Sequence, residues 1–295
     1  MPWHKTRSHF IVGRRSTIEP MTTTLCPVCG GDALTVRFQV TGTDSYLELL
    51  GLAVSPEERV WMSCSSCGHL CNGFRLDEQE LTKLYERFRD QEWRNESPDQ
   101  YFDRITSLPD SESENYQKMR QIMRCATDRD LSGLKTMIDI GCGGGVLIYT
   151  AQRLLGSAFS FYGVEPTESF ANLATRRTGA MIRCGNFGAG LFGDTKFDLA
   201  TCCQVLEHVS NPGDFVSAVR RSLVHEGLFY LEVPDVSDFA DLPSDHDRFM
   251  CQHISYFSYG VLSKLLLEHS FSIVASDVTK SVRKRNNLWF LARAC

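Results

Sequence analysis

The chain has 295 residues, 42% of them hydrophobic, enough for one large domain and a small one around a sizeable core. A net charge of −5 and a pI near 5.9 exclude an overall basic field that would hold nucleic acid by phosphate neutralisation. No apolar run approaches the ~18 residues of a membrane span, and the opening MPWHKTRSHFIVGRRSTIEP lacks the apolar core of a secretory signal, so the predicted compartment is the cytoplasm and the twelve cysteines read as reduced thiols with a metal site.

Residues 1–20 carry Lys5, Arg7, Arg14 and Arg15 against the single acid Glu19 and show no period, which predicts a flexible extension. Residues 21–75 are short apolar runs such as LTVRFQV and RVWMSC between turn residues, the pattern of a small β-rich module. Two cysteine pairs bracket it: Cys26 and Cys29 in CPVCG, and Cys64 and Cys67 in CSSCG, with 34 residues between the pairs. Two intervening residues let both sulfurs of a pair reach one metal, Gly30 and Gly68 suit the sharp turn that follows, and four thiolates fill a tetrahedron, so a structural zinc ion is predicted. His69 and Cys71 lie close enough in sequence to substitute as ligands. Residues 76–130 take a helical period, as in LTKLYERF, where Leu81, Leu84, Tyr85 and Phe88 share a face; this segment is read as a helical linker or lid.

Residues 131–295 alternate apolar strands with amphipathic helices, which predicts an α/β fold with a Rossmann-like, seven-stranded doubly wound sheet. The strands are placed at KTMIDIG, SFYGVE, AMIRCG, FDLATCCQ, GLFYLEVP, FSIVASDV and LWFLARA, with helices between the first six. In MIDIGCGGGVLIYTAQRLLG a strand runs through a glycine turn into a helix, and Gly141, Gly143 and Gly145 let the backbone pass close to a ligand at the helix amino end. The spacing is G-x-G-x-G, not the dinucleotide fingerprint, because position 146 is valine. Asp139 ends the first strand, and Glu165, at the end of the second, is placed to accept both hydroxyl protons of a ribose.

Together Asp139, the three glycines and Glu165 resemble the cofactor site of class I methyltransferases, over roughly residues 132–295. The resemblance implies S-adenosylmethionine as cofactor, Asn186 and Phe187 near its adenine and Gln204 near its methionine part; by residue type each of the three is equally a turn or core residue. The text QVLEHV after the fourth strand differs from the Asn- or Asp-Pro-Pro-aromatic tetrapeptide of enzymes that methylate amino groups of DNA bases. Cys202 and Cys203 lack the proline-cysteine context of RNA cytosine methyltransferases and read as core cysteines.

The stretch QVLEHVSNPGDFVSAVRRSLVHEGLFYLEVP is similar to methyltransferases that act on small molecules, and there His208 faces either the reaction or the packing of its helix. A CPxCG…CxxCG module ahead of such a domain resembles the sugar C-methyltransferases, and so does RFMCQHISYFS. In that resemblance His253 matches the last histidine of the family's cluster and is the expected base. Met250, Cys251 and Gln252 stand where the family has tyrosine, histidine and glutamate, which removes part of the apparatus that would steady an enolate. The text past the seventh strand has no counterpart of the family's extra carboxyl-terminal domain. Asp245, His246, Asp247 and Arg248 mark a polar loop where an acceptor would enter.

The expected function is methyl transfer from S-adenosylmethionine to a carbon or oxygen of a small molecule, such as a sugar nucleotide or secondary-metabolite intermediate. The partner is the small-molecule acceptor, with no membrane and no nucleic acid. Two other readings compete: an RNA or protein methyltransferase docked through the zinc module, against which the acidic balance argues, and a catalytically silent S-adenosylmethionine-binding subunit.

Overall fold

The computed structural model describes residues 21–22, 24–52, 54, 59–87, 96–126, 133–188, 190–237, 239, 242–282 and 284–295. The extension expected over residues 1–20, and Phe88 of the expected helix face, lie outside the described residues.

The amino-terminal part opens on β1 (Met21–Thr22), β2 (Leu34–Gln39) and α1 (Ser45–Leu50), then β3 (Val60–Cys64), β4 (Leu70–Asn72) and β5 (Phe74–Arg75). The short helix α1 is absent from the β-rich expectation. It forms because the Asp44 carboxylate caps the amides of Tyr46 and Leu47 and Gly51 takes the left-handed conformation that ends it. Three helices follow, α2 (Glu78–Arg87), α3 (Pro98–Thr106) and α4 (Glu114–Cys125). Ser97 and Gln100 form a capping box on α3, with proline at its first turn.

The remaining elements are β6 (Thr136–Ile140), α5 (Val146–Leu155), β7 (Ser160–Glu165), α6 (Glu168–Thr178), β8 (Met181–Cys184), β9 (Phe197–Cys203), α7 (Pro212–Ser222), β10 (Leu223–Pro234), β11 (Ser255–Tyr256), α8 (Tyr259–Glu268), β12 (Phe271–Lys280) and β13 (Asn286–Ala294). Seven of the strands form one sheet in the order β12-β13-β10-β9-β6-β7-β8, parallel except for β13. Residues alternate between its faces. Met137, Leu199 and Tyr230 pack against α4, α5 and α6, whereas Ile138, Ala200 and Leu231 pack against α7 and α8. Both faces are covered, which is why the strands read as nearly continuous apolar runs.

One predicted helix is missing. The connection from β8 to β9 contains only turns among its described residues, although helices were expected between each of the first six strands. Gly185, Gly188, Gly190 and Gly193 in that short stretch raise the entropic cost of a helix, and Phe187, Leu191 and Phe192 instead dock on the core as a loop. Cys202 is fully buried and Cys203 packs beside the opposite core cluster, in keeping with core cysteines.

A second, four-stranded sheet has the order β11-β4-β3-β2, so its edge strand comes from the loop between β10 and α8, nearly two hundred residues downstream of β4. Trp61 of β3 is fully buried between Tyr256 of β11 and Phe249. Among the described residues no helix is long and apolar enough to cross a membrane.

Candidate functional site

Strands β6, β7 and β9 end side by side, and the residues singled out in the sequence meet there. Gly141, Gly143 and Gly145 all have positive φ, 73°, 53° and 84°. A side chain at Gly141 would collide with Val205, and one at Gly145 would sit 3.0 Å from Ala174 and Thr178. The Glu165 carboxylate braces this loop: one oxygen accepts from the Gly143 amide at 2.9 Å and the other from the Thr167 amide at 3.0 Å. Each oxygen keeps a further lone pair with which it can accept another donor. Asp139 is buried and accepts from the Thr201 hydroxyl at 2.7 Å. Burial pushes its carboxyl up to about 7, against the lowering effect of Thr201 and of the Lys118 charge. Asn186 is exposed and Phe187 half-buried in the loop after β8, where Phe187 meets Phe215 edge-on.

Gln204 follows β9 with a φ of 58°, a conformation rare outside glycine. Glu232 of β10 holds it there, its carbonyl accepting from the Gln204 amide and its carboxylate from the Gln204 side chain at 3.2 Å. The same carboxylate receives Lys118 of α4 at 3.1 Å, Asn287 at 3.3 Å and the Tyr230 hydroxyl at 3.3 Å. Burial alone would push the Lys118 ammonium down, but the Glu232 charge outweighs it and holds it up. Lys118 and Glu232 were not singled out in the sequence. A lone lysine on a polar helix and a glutamate inside an apolar strand carry no spacing signal; the buried acid in GLFYLEVP was the one available hint.

Beside this floor a 3-10 turn, Leu206–His208, and the loop after β10 bring Glu207, His208 and His253 together. The two imidazole centroids lie 4.9 Å apart. The Nδ1 of His208 lies 2.7 Å from the Gln252 carbonyl and that of His253 lies 2.9 Å from the Arg248 carbonyl. A carbonyl only accepts, so both Nδ1 atoms carry a proton, and in its neutral form each ring presents a lone pair at Nε2. Tyr256, also bonded to the Arg248 carbonyl and to His253, secures the second ring. Burial and the neighbouring His208 push His253 down to about 3, so it is neutral throughout the physiological range. Glu207 is fully buried and burial raises its carboxyl to about 8, while its Oε2 has no hydrogen-bond partner among the described residues. The three residues offer ligand atoms all within 4.8 Å of one another, a set able to relay a proton or to hold a cation. Helix α2 lays Tyr85 edge-on against His208 at 6.0 Å.

The departures in the 248–253 segment serve packing. Cys251 is buried against Leu47 and Leu84, and its amide donates to Asp44 at 2.8 Å. Met250 receives the Ser45 hydroxyl. Arg248, expected in a polar entry loop, is instead buried and donates to the carbonyls of Asp235 and Asn286. His246 accepts the Arg248 amide.

The four cysteines Cys26, Cys29, Cys64 and Cys67 also converge, with all Sγ atoms within 4.8 Å. Cys26–Cys67 and Cys29–Cys64 are each 3.6 Å apart. A tetrahedron of sulfurs at ~2.3 Å from zinc has edges of about 3.8 Å, so the donors fit that ion. The two knuckles share one geometry, with the Gly30 amide on the Cys26 carbonyl and the Gly68 amide on the Cys64 carbonyl. His69 and Cys71 are outside the cluster; His69 bonds Ser255 through Nε2 at 3.1 Å instead.

The sequence profile of the methyltransferase domain family matches residues 111–276, more than half of the chain. The chain belongs to that family. This methyltransferase domain is 31% identical over 108 residues to the mitochondrial ubiquinone biosynthesis O-methyltransferase of Schizosaccharomyces pombe, 35% of this chain and 39% of that protein. It is 31% identical over 97 residues to the ubiquinone biosynthesis O-methyltransferase of Methylococcus capsulatus, 31% of this chain and 39% of that one. The chain thus spans about two fifths of the length of these relatives. In fold it is similar to magnesium protoporphyrin IX methyltransferase from Synechocystis PCC 6803, solved with bound S-adenosylhomocysteine, at 18% identity and a TM-score of 0.51 over 72% of this chain and 99% of that one.

Proposed function

We propose that the chain transfers the methyl group of S-adenosylmethionine to a hydroxyl of a small molecule, with a structural zinc ion in the four-cysteine cluster. The observation that carries the reading is the convergence, at one end of the sheet, of the Glu165-braced glycine loop and buried Asp139 with the Nε2 atoms of His208 and His253. The cofactor, when bound, would supply an electrophilic methyl group on a sulfonium, with S-adenosylhomocysteine as the leaving group once the sulfur–methyl bond breaks. Glu165 would hold the ribose hydroxyls, the glycine loop would let the backbone pass close to the cofactor, Asn186 and Phe187 would flank the adenine and Gln204 would meet the methionine part. His253, with His208 beside it, takes the acceptor's proton as the oxygen attacks, and Glu207 lies next to the imidazolium that forms.

Oxygen is favoured over carbon as the nucleophile. Met250, Cys251 and Gln252 remove part of the apparatus that would steady an enolate, and relatives that match about a third of this chain carry the name O-methyltransferase. The acidic balance continues to argue against a nucleic-acid acceptor.

The decisive test is calorimetric titration with S-adenosylmethionine and, separately, NAD, followed by methyl-transfer assays on hydroxylated acceptors; binding of NAD alone would overturn the reading. Two results are expected from the titration. Glu165→Ala weakens binding by ~1–3 kcal/mol, the range for charge-assisted hydrogen bonds. The cationic sulfonium would also lower the Asp139 pKa from about 7, so binding near that pH is expected to release part of a proton and affinity to fall as the pH drops below it. Titrations in buffers of different ionisation enthalpy read the release directly, and Asp139→Asn removes it.

A further inference from the structure

The cysteine module and the loop that carries His253 are one hydrogen-bonded unit. Strand β4 begins three residues after Cys67 and pairs on one side with β3, which ends at Cys64, and on the other with β11, two residues after His253. Around that seam the contacts are specific. The Asn72 amide donates to the Ile254 carbonyl at 2.9 Å, and its side-chain nitrogen donates to the His253 carbonyl at 3.3 Å. The Ile254 amide in turn donates to the Glu207 carbonyl at 2.8 Å, and buried His69 meets buried Ser255. The cofactor groups Asp139, Glu165 and Gln204 are instead held by β6, β7, β9 and Glu232.

We infer that the cysteine-bound zinc holds the His253–His208 pair in register through β4, with Asn72 as the positioning residue, so that metal occupancy governs the proton-accepting side of the site and leaves cofactor binding alone. The inference rests on the zinc assignment and on the role proposed for His253. Its physical basis is that a knuckle without its metal loses the constraint on Cys64 and Cys67, which flank the turn that sets β3 against β4. An edge strand of two residues such as β11 then has too few bonds of its own to stay paired.

Hydrogen exchange on the full chain, before and after zinc removal with 1,10-phenanthroline, tests this without an acceptor. Exchange of the Asn72 and Ile254 amides should accelerate on the order of a hundredfold, while S-adenosylmethionine binds as before. Unchanged protection after the zinc has gone would overturn the coupling with the metal assignment intact, whereas folded protein isolated without zinc would remove both. Asn72→Ala is read by histidine nitrogen resonances: loss of the Nδ1-protonated signature of His253 with zinc retained supports the positioning role, and an unaltered signature sinks it. If Asn72→Ala does not fold, the chelation experiment still decides. A loop that responds to zinc in a protein with no methyl transfer leaves the coupling standing and overturns only the proposed reaction.

Discussion

Replacing Cys26 and Cys64 by serine is expected to abolish metal binding and unfold the amino-terminal module. Apparent zinc affinities of four-ligand knuckles are about 10–16 kcal/mol at neutral pH, as large as the whole folding stability of an ordinary domain, about 5–15 kcal/mol. What remains without metal is a four-stranded sheet whose buried aromatic centre is Trp61 with Phe249 and Tyr256. Two of those three rings belong to the loop after β10, so they cannot hold a module that has lost its knuckles. Elemental analysis and limited proteolysis check the outcome: the wild type should carry one zinc per chain, and the double variant should be cleaved within residues 24–75 while residues 133–295 persist. A metal-free wild type that resists protease over the same span would refute the assignment.

His253→Ala is expected to lower the rate of methyl transfer by ~10²-fold, the low end of the contribution of a positioned proton acceptor, because a ring held at about 3 is a weak base. The dissociation constant for S-adenosylmethionine should stay within about twofold, because additivity holds for sites without shared partners and no hydrogen bond joins His253 to Glu165, Asp139 or Gln204 among the described contacts. His253 is pushed down to about 3 by burial. Its protonation therefore cannot produce an acid limb near neutrality, and Asp139, at about 7, and Glu207, at about 8, are each expected to contribute a limb between pH 6 and 9. Glu207→Gln should remove the upper of these two limbs. A rate unaffected by His253→Ala would transfer the role to His208, which His208→Ala would then reveal.

Much of this was readable along the chain because it is local. The strand, glycine turn and helix from Met137 to Leu155 appear in the sequence as an apolar run, three glycines and an amphipathic period, and the structure has the same elements with Glu165 at the end of the next strand. The cysteine pairs were equally plain, since each knuckle closes over five residues. Where local cues were weak the reading erred. The helix expected between β8 and β9 is a glycine-rich loop, and α1 escaped notice because six residues between turns carry little period.

The sequence alone determined the seven strands of the large sheet, the glycine cradle and the four sulfurs, because each is set by residues a few positions apart whose backbone preferences and spacing act without the rest of the chain. Only the tertiary structure decided that Lys118, Gln204, Tyr230 and Asn287 share the Glu232 carboxylate, that Glu207 joins the two histidines, and that a strand from beyond residue 250 completes the cysteine module's sheet. Most of those contacts join groups far apart in the chain, and the burial that shifts their protonation arises only when the two sheets and their helices close around them.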